Sequence, residues 1–248
     1  MPRFFVDQRP EGQVFLGGED GRHIVKSLRM CPGEALTLCD GRGTDYACRV
    51  VSCDGEGALV QVEESRPSFS EPGTKVTVCQ CLAKGDKLET VTQKAVELGA
   101  WEIWPVESAR CVVRLEGKSG EKKAARLQKI AREAAMQSGR GVIPQVRQPA
   151  SLKQALETAA SEGEILFFYE RGEESLKQAL EDGGDRLFVF VGPEGGFAPE
   201  EAELARSLGG KVLTLGPRIL RTETAPLAAL ACVFYQKGDM EWKGGRDQ

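Results

Sequence analysis

Gly192-Pro-Glu-Gly-Gly-Phe197 directly follows the apolar run Leu187-Phe-Val-Phe-Val191, and Gly216-Pro-Arg-Ile-Leu-Arg-Thr-Glu-Thr-Ala-Pro226 follows Val212-Leu-Thr-Leu215. Both runs are short, rich in β-formers and bounded by turn residues, the pattern of strands buried in a parallel sheet. Each turn then leads into a helix-like stretch. In open α/β sheets ligands gather at the carboxyl ends of the strands, where such loops lie. Glycines let backbone approach a ligand closely, so these two turns mark the expected site.

Outward from them, strands and helices alternate. Apolar β-runs at 75–82, 102–106 and 165–169 are interleaved with helical stretches at 87–98, 121–138 and 149–160. The first of these helices is closed by Gly99, which suits a C-cap. In 121–138 the residues Leu127, Ile130, Ala131, Ala134 and Ala135 recur at the spacing of one buried face. Pro199 and two acids open another helix at 199–208, stopped by Gly209-Gly210. The last, 226–236, is apolar almost all round, which predicts either deep burial or cover by a partner subunit. Gly238 ends it, and the ten residues after that glycine are polar and are expected to fray. This alternation predicts a mostly parallel sheet with helices on both faces.

The first 68 residues read differently. Short β-runs at 13–16, 35–39, 46–51 and 58–62 are separated by Gly- and Asp-containing turns, the pattern of a small β-barrel-like module. A helical segment at about 21–30 interrupts them and places His23, Lys26 and Arg29 near one face. Residues 66–72, with two prolines and two serines, suit a linker. Two domains follow, 1–70 and 71–248.

Composition excludes several classes. With 41% hydrophobic and 28% charged residues the chain is an ordinary globular one. No apolar run approaches the roughly 20 residues that span a bilayer, and no secretory signal is evident, so a cytoplasmic address is expected. Eight cysteines lack C-x-x-C spacing and only one histidine is present, His23, so neither a disulfide framework nor a metal site is expected. The net charge of −4 hides a basic segment: residues 110–149 carry ten basic and three acidic side chains. That segment suits a polyanion footprint or one solvated helix face.

The chemistry of the turns narrows the ligand. Gly192-Pro-Glu-Gly-Gly lacks the lysine and hydroxyl of a phosphate-binding loop and is not G-x-G-x-x-G. Its glutamate would repel phosphate. An uncharged or cationic ligand held by backbone groups fits better. In the second turn Arg221 stands beside Ile219-Leu220, whose apolar side chains should pin the loop, while Thr222 or Thr224 is placed to N-cap the last helix. No nucleophile–base pair emerges, so an enzyme of this sequence needs a reactive cofactor.

The two turns, together with Lys94-Ala-Val-Glu-Leu-Gly99 after Lys87, Gln137-Ser-Gly-Arg140 after the basic helix, and His23-Ile-Val-Lys-Ser-Leu-Arg29, resemble the bacterial ribosomal RNA small subunit methyltransferase E family. The resemblance runs along nearly the whole chain in order, with departures at Met136 and Ala109-Arg-Cys111. It implies a SPOUT-type α/β domain over 71–248, threaded into a trefoil knot that holds S-adenosylmethionine, behind a PUA-like RNA-binding β-barrel domain over 1–70. It also implies a homodimer and methylation of N3 of one uridine in 16S rRNA of the small ribosomal subunit.

On that resemblance the cofactor contacts would be Tyr169 and Glu170, then Gly192, Pro193, Glu194, Gly195 and Gly196, and finally Leu215, Gly216, Ile219, Leu220 and Arg221. Uracil N3 must lose a proton, which predicts Arg221 for electrostatic stabilisation and Glu194 or Glu223 as proton acceptor. RNA contacts are expected from Arg114, Lys122, Lys123, Arg126, Lys129, Arg132 and Arg140, and from Arg3, His23, Lys26 and Arg29. Two alternatives stand beside this reading: an RNA-binding assembly protein without activity, and an enzyme using another adenosine-containing ligand.

Overall fold

A computed structural model describes residues 1–114, 117–181 and 183–241. It comprises two compact units, Met1–Glu71 with Ala135–Ile143, and Pro72–Ala134 with Pro144–Gln248. Part of the expected tail, residues 242–248, lies outside the described residues. Asp239, near its start, is held in place: its carboxylate accepts from the Gly73 and Thr74 N–H groups at 2.8 and 2.9 Å.

In the first unit, β1 (Arg3–Phe5), β2 (Gln13–Leu16), β3 (Ala35–Cys39), β4 (Thr44–Cys53) and β5 (Ala58–Pro67) form one sheet in the order β1-β3-β4-β5-β2. β1 runs parallel to β3 and the other pairings are antiparallel. Alternation along the strands turns Leu36, Leu38, Tyr46, Cys48, Val50 and Val60 onto a common core with Phe4 and Ile24. Arg66 and Pro67, expected in a linker, instead pair with Asp45 and Thr44 as the end of β5, a strand-terminal place that proline tolerates.

The helix expected at 21–30 is shorter and wound differently. α1 (Gly18–Arg22) passes into a π-helical turn, His23–Ser27. Arg29 lies beyond it with φ 53°. Three-residue spacing does not keep side chains on one face in a π turn, so His23, Lys26 and Arg29 are all exposed but are not a helical stripe.

Ala135–Ile143 joins this unit through ion pairing. Glu71 accepts from Arg140 Nη2 at 2.5 Å and from the N–H groups of Gly141 and Val142 at 2.9 and 3.2 Å. Arg3 makes two 2.6 Å bonds to buried Asp45 and donates to the Arg140 carbonyl.

The second unit contains β6 (Lys75–Cys81), α2 (Lys87–Leu98), β7 (Glu102–Glu107), α3 (Lys118–Gln137, whose last residues belong to the first unit), β8 (Gln145–Val146), β9 (Ala150–Ser151), α4 (Leu152–Glu162), β10 (Glu164–Phe168), α5 (Leu176–Glu181), β11 (Arg186–Val191), α6 (Pro199–Ser207), β12 (Lys211–Leu213) and α7 (Ala225–Gln236). The sheet order is β12-β10-β11-β6-β7-β8, with β9 also on β7, and every pairing is parallel. Helices flank it: α7 packs on β6 and β11 beside α2, while α4 and α6 pack against β10. Burial on both faces explains the unbroken apolar runs of β10 and β11, whose Phe167 and Phe190 are wholly enclosed. β8, β9 and α5 are too short to register as periodic patterns.

Chain order reverses between β6 and β11. From β6 the chain moves to β7 and β8; from β11 it crosses β10 to reach β12. Such a reversal opens a crevice at the carboxyl ends of the strands. At the amino ends of the strands ion pairs tie neighbouring elements: Arg147 binds both Glu102 and Glu162 at 2.8 Å, and Arg186 binds Glu162 at 2.7 Å.

α7 is not buried on every side. Pro226, Ala229, Leu230, Val233 and Phe234 face the sheet, while Leu227, Ala228 and Ala231 are half-buried and Cys232 and Tyr235 exposed.

Candidate functional site

Three loops leave the carboxyl ends of β10, β11 and β12 and enclose a cavity of about 650 Å³. It is lined by every residue expected at a cofactor site, from Tyr169 and Glu170 through 192–196 to Leu215, Gly216, Ile219, Leu220 and Arg221. Phe168, Val191 and Phe197 add an apolar wall, with the Phe197 ring 4.1 Å from that of Phe167.

The loop after β11 is built for close packing. Gly192 lies so near the returning chain that a Cβ there would sit 3.2 Å from Gly196 C and Phe197 N. Gly196 has φ 65°, in the left-handed region that glycine adopts without strain, and donates its N–H to the Pro193 carbonyl at 2.9 Å. Arg110 Nη1 donates to the Gly195 carbonyl at 2.9 Å, and the Glu201 carboxylate accepts from the N–H groups of Ala198 and Ala109, both at 2.8 Å. The loop is thus braced from the segment after β7, a role not visible in sequence because it joins residues about 85 positions apart.

The loop after β12 is anchored differently from expectation. Ile219 is 82% exposed and pins nothing. Thr222 is buried instead, and its Oγ1 donates to the Gly192 carbonyl at 2.7 Å, so it does not cap α7. Thr224 occupies the N-cap position without a side-chain capping bond. The signal for this anchor is Gln80, a large polar residue inside an otherwise largely apolar β-run, whose amide donates to Thr222 Oγ1 at 3.0 Å.

Three carboxylates face the cavity in different states. Glu194 binds Lys87 Nζ at 2.8 Å and accepts from the Lys84 N–H at 3.1 Å. Partial burial would raise its carboxyl, but the hydrogen bonds and charge of Lys87 and nearby backbone N–H groups outweigh this and hold it below the ordinary carboxylate range. That makes it a poor proton acceptor. Glu223 is half-buried, and its Oε2 has no hydrogen-bond partner among the described residues. Glu170 and Arg221 are exposed at the cavity mouth. Beyond Lys87, the cations at the cavity are Arg218 and Arg221, and neither sits in a glycine-rich phosphate cradle.

The expected RNA contacts divide into exposed and internal groups. On α3 Lys122 is exposed, Arg126 and Lys129 are 69% and 66% exposed, and Lys123 is partly covered by its 2.8 Å pair with Glu89. Arg126 also reaches Glu89 and Lys129 reaches Glu133, while Arg132 is half-buried. Arg114 is half exposed and paired with Glu107. In the first unit His23, Lys26 and Arg29 face solvent. Arg3 and Arg140 do not: their side chains are 11% and 3% exposed and committed to Asp45 and Glu71. Their geometry is that of internal supports and departs from the expected RNA contacts, since a phosphate would have to break a buried ion pair to reach them.

Among the described residues no cluster of His, Cys, Asp or Glu is arranged to hold a metal, and no helix is long and apolar enough to cross a membrane. All eight cysteines are free thiols.

Comparison with known proteins places this geometry. Residues 70–234 match the RNA methyltransferase domain family and residues 16–63 the RNA methyltransferase PUA domain. The chain is 38% identical over 248 residues to ribosomal RNA small subunit methyltransferase E of Bacillus subtilis, covering 95% of this chain and 97% of that protein. It is 34% identical over 236 residues to the Mycobacterium bovis protein of the same name, with 93% and 90% covered. The crystal structure of ribosomal RNA small subunit methyltransferase E from Neisseria gonorrhoeae bound to S-adenosyl methionine superposes with TM-score 0.85 at 34% identity, over 95% of this chain and 97% of that one.

Proposed function

This chain belongs to the ribosomal RNA small subunit methyltransferase E family, and from that premise we propose that it methylates N3 of one uridine in 16S rRNA with S-adenosylmethionine as methyl donor. The observation that carries the reading is the convergence of three strand-end loops on one cavity lined by an apolar wall, glycine-rich backbone and carboxylates.

The residues suit this cofactor. Phe168, Val191, Phe197 and Leu220 offer an apolar face for an adenine, and the loop 192–196 and Leu215–Gly216 offer backbone groups. Glu170 and Glu223 complement a cationic group, whereas a triphosphate would meet carboxylates and no cradle. When bound, S-adenosylmethionine supplies an electrophilic methyl group on a sulfonium. The chain's own part is to orient, exclude water and handle the proton. Arg221 supplies donors to the anion that develops as uracil N3 is deprotonated. Glu223, a cavity-lining carboxylate whose buried Oε2 has no hydrogen-bond partner among the described residues, takes the proton; Glu194 is committed to Lys87 and serves as a rim support.

RNA docking is assigned to His23, Lys26 and Arg29 on the PUA-like unit and to the α3 face carrying Lys122, Lys123, Arg126 and Lys129, with Arg114 and Arg132 beside it. The open face of α7 supports a homodimer, since Leu227, Ala231 and Tyr235 would otherwise leave an apolar stripe in water. A single-chain mass by sedimentation at micromolar concentration would overturn this. The crossing from β11 over β10 to β12, followed by the return of α7 to β6 and β11, supports a knotted connection. We place the enzyme in the cytoplasm, with its substrate.

Methylation of deproteinised and assembled small subunits, followed by mapping of the modified base, tests the activity. Transfer to a single uridine N3 is expected, with affinity falling by roughly 10³-fold or more between 50 and 200 mM salt if six or more phosphates are contacted. Binding without transfer would favour an assembly protein. Preference for a different adenosine-containing ligand in calorimetry would replace the cofactor.

A further inference from the structure

Gln80 lies near the carboxyl end of β6, wholly buried, opposite Val191 at the reversal of strand order. Its Nε2 donates to Thr222 Oγ1 at 3.0 Å and to the Cys81 carbonyl at 3.1 Å, and lies 3.5 Å from the Gly192 carbonyl. Thr222 Oγ1 accepts from Gln80 and donates its own O–H to the Gly192 carbonyl at 2.7 Å. This chain of donors fixes the amide orientation, because a flip would turn Oε1 against two carbonyl oxygens. The cost is visible: Oε1 has no partner among the described residues. Its neighbours Val78, Cys79 and Cys81 are apolar and equally buried, so the core itself calls for an apolar side chain at this position.

We propose that Gln80 is a positioning residue that latches the loop after β12 to the first residue of the loop after β11, through Thr222, and so sets the spacing of the two loops that grip the cofactor. The inference rests on the cofactor reading above. Ile219 leaves the β12 loop unpinned on its outer side, and residues 216–219 are all exposed. Thr222 is the buried residue of that loop and Gly192 the buried start of the other, so a hydroxyl at 222 and an amide at 80 hold both across the crevice. Gln80 does not line the cavity, so its influence on the ligand passes through the loops.

The test is calorimetric titration of S-adenosylhomocysteine into the full chain and into Gln80→Leu, Thr222→Val, the double variant and Thr222→Ser, with melting temperatures measured alongside. Thr222→Val removes both the Gln80–Thr222 and the Thr222–Gly192 bonds and is expected to weaken binding about tenfold. Gln80→Leu leaves the second bond without its support and is expected to weaken binding about threefold or more, and the double variant little beyond Thr222→Val alone, because the amide acts through that hydroxyl. Thr222→Ser keeps the hydroxyl and is expected to stay within about twofold of the unaltered chain. The melting temperature of Gln80→Leu should hold or rise, since an unsatisfied buried acceptor is removed. Unchanged affinity in both single variants, additive losses in the double, or affinity and melting temperature falling together in Gln80→Leu would each overturn the latch. If the unaltered chain gives no heat, the cofactor reading itself falls, and the latch with it.

Discussion

Arg221→Ala is expected to lower methyl-transfer turnover by about 10²-fold while S-adenosylhomocysteine affinity changes by no more than about threefold. Deprotonation of uracil N3 spreads negative charge over the ring and its carbonyl oxygens. A guanidinium offers five donors in a fixed plane and stays charged at every working pH. Arg221 stands at the mouth of the cavity on a loop whose inner end is tied down at Thr222, so its side chain is carried by a fixed backbone yet open to an incoming base. An interaction made only with the developing anion acts on turnover and leaves cofactor binding alone. Arg221→Lys keeps the charge without the planar fork and should fall between the two, about tenfold below the unaltered enzyme. Single-turnover rates with saturating subunits are the measurement. Near-normal rates in Arg221→Ala, with cofactor affinity unchanged, would assign the stabilisation elsewhere.

Arg140→Ala is expected to destabilise the first unit by about 3–5 kcal/mol, because it strips the partner from a carboxylate held inside the fold. Glu71 is 18% exposed and receives Arg140 together with two backbone N–H groups. Those two bonds remain after the substitution, but they do not neutralise the charge. For a unit of this size the loss corresponds to a fall of more than about 10 °C in melting temperature. Adding Glu71→Gln should recover part of it, since the uncompensated charge is then gone. The salt slope of subunit binding should stay as it was, because Arg140 does not reach a phosphate. A reduced salt slope with unchanged melting would restore Arg140 to the RNA surface. Lys122→Ala and Arg126→Ala supply the contrast, with an effect on affinity and little on stability.

Two kinds of position separate what could be read early from what could not. The loops 192–196 and 215–221 were legible because glycine and proline after apolar β-runs have few other uses. Charge argued correctly against a phosphate cradle, since Glu194 and Glu223 do face the cavity. The supports of those loops are not legible in the same way. The rule that apolar side chains go inside predicts that Ile219 pins its loop, yet it stands beside a cavity and points outward. Local capping is the commonest use of a threonine before a helix, whereas Thr222 bonds across the crevice to a residue 30 positions away. Composition places Arg3 and Arg140 with the surface cations, and it carries no information about the carboxylates that lie beside them in space.

The class of fold, the order of its elements, the two loops that line the cavity and, through resemblance, the family are all legible in the order of the residues. Periodicity, turn chemistry and glycine placement are local properties, and local properties are written along the chain. Folding in three dimensions is what separates exposed cations from paired internal ones, leaves one carboxylate oxygen without a partner among the described residues, and brings a buried amide against the two loops. Those are pairings between residues distant in the chain, selected by burial and by the need of every enclosed donor and acceptor to find a partner. The two glycine turns locate the site; Gln80, Thr222 and Gly192, brought together where the strand order reverses, give it its shape.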